Sequence, residues 1–129
     1  MSLSVDVFVV GEDGQTHVLD VPEGSSDLAG FERWRTVVWG SDAVRSLGAR
    51  FFPALADDDL KVFPHQVTEF LAECALLRSQ IEVVAPRTDP AKSHAEYVWQ
   101  ISERLRTIED AAERARGATG NLGDLGPWR

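Results

Sequence analysis

"LSVDVFVVGEDGQTHVLDV" (Leu3–Val21) decides the fold class, because its apolar residues repeat every second position and then repeat again after a turn. Leu3, Val5, Val7 and Val9 fall on one face of a period-two strand, with Phe8 and Val10 on the other, so both faces are at least partly covered. "GEDGQ" is a glycine-bounded acidic turn, and "THVLDV" reads as a second strand returning antiparallel to the first. A two-stranded hairpin is marginal alone, so a third strand is needed. "LKVF" (60–63), ending before Pro64, is one candidate. The glycine-rich tail 117–129 is the other, and it is expected to dock as an extended edge segment, burying Leu122, Leu125 and Trp128, or to fray.

Outward from the hairpin the period changes to helical. After the loop "PEGSSD", Leu28, Phe31, Trp34 and Val38 recur at helical spacing, with Ser25 or Ser26 as cap and Gly40 suited to a left-handed C-terminal cap. Ser41 then caps a short helix, "DAVRSL", closed by Gly48. From Pro64 the stripe Val67, Phe70, Cys74, Leu77, Ile81 and Val84 predicts an amphipathic helix over 65–85. Asp89 before Pro90, or Ser93 with Glu96 as a capping box, starts a last helix over 90–116 with the stripe Val98, Ile101, Leu105, Ile108 and Ala112. The expected architecture is α+β: an N-terminal antiparallel hairpin packed on a helical layer dominated by a long antiparallel helix pair.

The 129 residues suit one domain over 1–129, since single cores hold about 100–150 residues. A hydrophobic share of 43% with 26% charged residues is that of a globular chain rather than a disordered one. A formal net charge of −8 repels phosphate backbones and anionic membranes, so neither nucleic acid nor membrane is an expected partner. The charge is unevenly placed. Met1–Glu32 carries seven acids and no lysine or arginine, whereas Arg33–Arg50 carries four arginines against Asp42 alone. The single Cys74 excludes an internal disulfide, and with no secretory leader or membrane-spanning run of roughly 20 apolar residues, the expected compartment is the cytoplasm.

No catalytic, cofactor or metal constellation is expected. His65 and Cys74 lie nine positions apart, about 180° around a helix, and so cannot form a local thiolate–imidazole pair. His65, Glu69 and Glu73 share a face, but a dimetal site needs a Glu-x-x-His element on a second helix, and a solvated helix face is the expectation. "DDD" (57–59) lacks the alternating ligands, glycine and closing glutamate of a calcium loop. "GATGNLGDLG" lacks the Lys-Ser/Thr of a phosphate loop. Arg106 with Asp110 and Arg114 makes a mixed-sign outer face on the last helix.

Trp34 and Trp39 lie about 140° apart on a helix, so one indole is expected at the surface or in a cleft, amid Arg33, Arg35, Arg45 and Arg50. Trp39, Arg35 and Arg45 are therefore the candidate anchor cluster of an interface, aromatic and arginine residues being enriched at hot spots. The competing reading is that the arginines cover indole rings and stabilise the monomer. Asp13, Asp20 and Glu23 are the candidate acidic binding surface.

"GFERWRTVVWGS", "SLGARFFPAL", "FLAECALLR" and "ISERLRTIEDAAERARGATG" resemble small acidic proteins common in actinobacteria. In those the tail ends in a β-like segment with tryptophan, whereas "NLGDLGPW" places Leu and Pro where β-branched residues would stand, which argues against a regular terminal strand. In size, acidity and layout the chain also resembles immunity proteins of polymorphic bacterial toxins, a likeness that implies a protein partner and assigns no site residue. The expected function is a non-enzymatic protein-binding module, an immunity-type inhibitor of a basic toxin. The alternatives are a small-molecule-binding protein or small enzyme with a pocket between hairpin and helices near Trp39 or His65, or a homodimer formed through the Trp and Arg region.

Overall fold

A computed structural model describes residues 2–10, 13–117 and 121–127, and every strand in it is organised about β1 (Ser2–Val10). One edge of β1 carries two short antiparallel strands end to end. β3 (Leu28–Phe31) pairs with its start, Leu3 opposite Gly30, and β2 (Thr16–Val18) pairs with its end, Phe8 opposite Val18. The other edge pairs with β5 (Asn121–Pro127), which in turn pairs with β4 (Leu60–Val62). The fold is α+β, and both candidate extra strands join the sheet.

The tail is not an edge segment: it inserts between β1 and β4 and forms a strand despite its Leu, Gly and Pro content. The reason is a register shift. The three-residue step from Leu122 to Leu125 is matched by two-residue steps from Val7 to Val5 and from Val62 to Leu60. β5 therefore carries one extra residue around Gly123 and Asp124, where a strand glycine commonly accommodates a bulge. Period-two reading fails across such a step. The expected burial of Leu122, Leu125 and Trp128 lies outside the described side chains.

Leu28–Phe31 is a strand, not the start of a helix. Ala29 and Gly30 are buried while Leu28 and Phe31 are largely exposed, the reverse of the helical stripe. Ser26 Oγ accepts the Leu28 N–H at 3.1 Å in a local turn, and Asp27 C=O accepts the Val5 N–H at 2.8 Å, locking this segment to β1. Gly30 has φ +116°, and a Cβ there would lie 2.4 Å from Trp34 Cε3. Only glycine lets the strand bend over the indole.

A π-helical turn (Arg35–Trp39) follows, then α1 (Asp42–Ser46), whose predicted cap is present: Ser41 Oγ accepts the Val44 N–H at 3.3 Å. Gly40 is not a left-handed cap, since its φ is −102°. Its lack of a side chain instead permits close approach to the 3₁₀ turn Phe52–Ala56, because a Cβ would meet Arg35 C=O at 2.3 Å and Ala56 Cβ at 2.7 Å.

The predicted 65–85 helix is broken in two. After a 3₁₀ turn at Pro64–Gln66, α2 (Val67–Ser79) ends at Gln80, which has φ −124° and ψ 25°, and α3 (Ile81–Val84) follows. The one-residue interruption leaves Ile81 and Val84 on the buried side, so the stripe conceals the break. α4 (His94–Gly117) starts at the predicted Ser93 cap, whose Oγ accepts the Glu96 N–H at 3.2 Å; Glu96 Oε1 accepts from the Ser93 hydroxyl at 3.3 Å rather than from its backbone N–H, so the reciprocal half of a capping box is not formed.

The core is continuous from sheet to helices. Leu3, Val5, Val7, Leu60 and Val62 join Phe70, Cys74 and Leu77 of α2 and Tyr97, Ile101, Leu105 and Ile108 of α4. An aromatic ladder runs through it: Trp34 to Trp39 at 5.8 Å, Trp39 to Phe52 at 5.0 Å, Phe52 to Phe70 at 5.3 Å. Such ring pairs add about 0.5–1.5 kcal/mol each to the burial itself. Trp34, Trp39 and Phe52 thus form part of a core spine.

Candidate functional site

Both tryptophans that the helical wheel separates are fully buried. The π-helical turn and the bend at Gly40 turn Trp39 inward, where its Nε1 donates to Ala29 C=O at 3.0 Å. The expectation that one indole reaches the surface is overturned, and with it an accessible Trp39 anchor. Arg35 lies beside it with a side chain only 13% exposed. Its guanidinium donates to Glu32 Oε1 at 2.9 Å, Leu55 C=O at 3.2 Å, Asp58 C=O at 2.7 Å and Asp59 Oδ1 at 2.5 Å. This ties the π-helical turn to the "ADDD" turn. Arg45, though exposed, points its Nε at Gly40 C=O, 3.3 Å away. The structure does not bring Trp39, Arg35 and Arg45 together as a contact surface; two of the three hold turns of the backbone.

The acidic residues are placed differently. Asp13, Asp20 and Glu23 are all exposed on the β2 side of the sheet. Asp13 Oδ1 accepts the Gln15 N–H at 3.0 Å and lies 3.8 Å from His17 Nε2. The Asp20 and Glu23 carboxylates have no hydrogen-bond or ion-pair partner among the described residues. Val18 and Leu19, immediately before Asp20, are 62% and 37% exposed. β2 is exposed along its whole length and, among the described residues, pairs with β1 alone, leaving an outward backbone edge with Asp13 before it and Asp20 after it.

Glu73 was expected on the solvated face with His65 and Glu69, but it is 8% exposed. Oε1 accepts the N–H groups of Arg50 and Phe51, and Oε2 accepts those of Phe51 and Phe52 at 2.9 Å each. The carboxylate caps the 3₁₀ turn from a neighbouring helix. Its three- and four-residue spacing from Phe70 and Leu77 was the available signal. His65 is exposed and stacks on Phe63. Cys74 is fully buried, and burial first, then the Glu109 and Glu73 carboxylates, pushes its thiol far above the ordinary range.

A polar cluster that the sequence reading missed joins β3 to the start of α4. Arg33 Nη2 donates to Asp89 Oδ2 at 3.1 Å and to Tyr97 Oη at 2.8 Å, and Tyr97 Oη donates in turn to Asp89. The bond from Tyr97, aided by the Ala91 N–H and Arg33, holds Asp89 below the usual carboxylate range. Burial and then the Asp89 bond push Tyr97 up to about 12. Trp99 is 66% exposed on the outer face of α4; its position out of phase with the apolar stripe was legible in the sequence.

Among the described residues, the grooves that indent the surface include three open ones. One of about 360 Å³ lies beside Glu73, lined by Arg50, Phe51 and Leu76, and the other two, of about 420 and 390 Å³, lie on either side of the exposed Val83 of α3. Neither Trp39 nor His65 lines any of these. Among the described residues no group of three or more His, Cys, Asp and Glu side chains is arranged to hold a metal ion, and no helix is long and apolar enough to cross a membrane. No family model, curated protein or solved structure matches this chain.

Proposed function

We propose that this chain is a non-enzymatic protein-binding module that presents the acidic β2 edge to a basic partner, in the manner of an immunity-type inhibitor covering the basic site of a toxin. One contrast supports the reading. Arg33, Arg35 and Arg45 direct their donors to groups of the same chain, while the Asp20 and Glu23 carboxylates stand without such partners. An exposed carboxylate keeps its full field for an approaching cation, which speeds encounter and sets specificity. The exposed Val18 and Leu19 supply apolar contact within the acidic rim, and the open side of β2 supplies backbone donors and acceptors to an added strand.

Capture from native lysate tests it, using the immobilised chain, an Asp13→Asn/Asp20→Asn/Glu23→Gln variant and an Arg45→Ala variant. A saturable partner held by the parent and by Arg45→Ala, and lost by the triple variant, is the expected pattern. No saturable partner, or equal capture by all three, contradicts the reading.

A further inference from the structure

The connector between α3 and α4 places one ammonium group among three aromatic rings. Lys92 Nζ lies 4.8 Å from the centroid of Phe31, 4.9 Å from Tyr97 and 5.8 Å from Trp34. All three distances are within the roughly 6 Å over which a cation is drawn to a ring face. The rings belong to separate elements: Phe31 ends β3, Trp34 follows it, and Tyr97 lies in the first turn of α4. Trp34 and Tyr97 are fully buried, whereas Phe31 is 45% exposed, so the enclosure has two fixed walls and one that faces solvent.

The walls are held independently of the occupant. Gly30 seats the Trp34 ring against β3, and Arg33 and Asp89 fix the Tyr97 hydroxyl. Lys92 itself is held more lightly. Among the described residues its one hydrogen bond is to Gln100 Oε1 at 2.5 Å, and its Cα precedes the Ser93 cap of α4, outside any helix. Rotation about the four-carbon stem withdraws the ammonium without unwinding α4.

We infer that Phe31, Trp34 and Tyr97 form a binding site for small quaternary-ammonium compounds, which Lys92 occupies as a displaceable plug. A choline-type head group carries its charge over a methylated surface. It therefore gains the same ring attraction as Lys92 and sheds less hydration on entry. In the parent chain the site is competent only in the fraction of molecules whose Lys92 has swung out. Apparent affinity is lowered by that fraction. This site is separate from the acidic β2 edge and does not depend on it.

Isothermal titration with choline chloride, against sodium chloride at equal ionic strength, tests the inference. Lys92→Ala should bind choline about tenfold or more tightly than the parent, the gain expected if the plug fills the site nine-tenths of the time. Lys92→Gln, which keeps a long polar side chain at the start of α4, should show the same gain, and circular dichroism verifies that each variant is folded. Phe31→Ala in the Lys92→Gln background should abolish it. The neutral isostere 3,3-dimethylbutan-1-ol should bind far more weakly than choline. The inference is overturned if folded Lys92→Ala or Lys92→Gln binds choline no better than the parent, if removing Phe31 leaves the gain intact, or if the neutral isostere binds equally.

Discussion

Replacing Glu73 by glutamine changes one carboxylate oxygen into an NH2 group in a place where three consecutive backbone N–H groups converge. Oε1 serves Arg50 and Phe51, and Oε2 serves Phe51 and Phe52, so whichever oxygen is replaced, two N–H contacts become donor against donor. A buried donor left unsatisfied costs about 1–3 kcal/mol, and bonds to a charged acceptor lose strength when the charge is removed. Phe51 retains a contact to the remaining oxygen, which limits the loss. The expected destabilisation is about 2–4 kcal/mol, or roughly 8–15 °C in Tm for a chain of this size. Glu69→Gln is the matched control, being one turn earlier on α2, exposed, and identical in its effect on net charge. It should stay within about 0.5 kcal/mol of the parent. Urea unfolding followed by far-UV circular dichroism provides both values. Equal midpoints for the two variants would mean that charge alone accounts for the effect and that the amide triad needs no carboxylate.

Gly30→Ala should cost about 2–4 kcal/mol, since it combines an unfavourable positive φ with a methyl group pressed into the Trp34 ring, and a calorimetric scan reads the loss. The Asp89–Tyr97 pair predicts opposite ends of a pH profile. With its folded pKa lowered, Asp89 contributes stability at neutral pH that is lost as pH falls below about 4. With its folded value near 12, Tyr97 contributes stability that is present below about pH 10 and disappears as pH rises through 12. Urea midpoints at both extremes check this, and Tyr97→Phe should flatten the alkaline limb. Cys74 should react with a thiol reagent only through unfolded molecules, so mild urea should accelerate labelling in step with the unfolded fraction.

The period-two pattern of residues 3–9 and the stripes of 67–84 and 98–112 were enough to read an α+β fold, because each marks a face packed into the common core. What the sequence concealed were breaks in period. Leu28, Phe31 and Trp34 keep helical spacing while the chain is a strand that bends at Gly30, and Gln80 interrupts a helix without moving the apolar phase. β5 hides for the same reason, its bulge setting Leu122 and Leu125 three apart. Site residues divided along similar lines. The exposure of Asp13 and Glu23 follows from the turn composition around them, whereas the fate of Trp39 and Arg35 depends on a π-helical turn with no clear local signature. The approach of Lys92 to Phe31 joins segments 61 residues apart in the chain, beyond the reach of any local pattern.

If the acidic β2 edge recognises a basic protein, the association rate of the captured partner is governed by ionic strength. The rate for the parent chain should fall steeply as salt rises from about 0.05 to 0.5 M, as exposed charges are screened. It should start low and stay nearly flat for the Asp13→Asn/Asp20→Asn/Glu23→Gln variant. A parent rate indifferent to salt, or a triple variant that reproduces the parent's curve, would rule out recognition through the acidic edge.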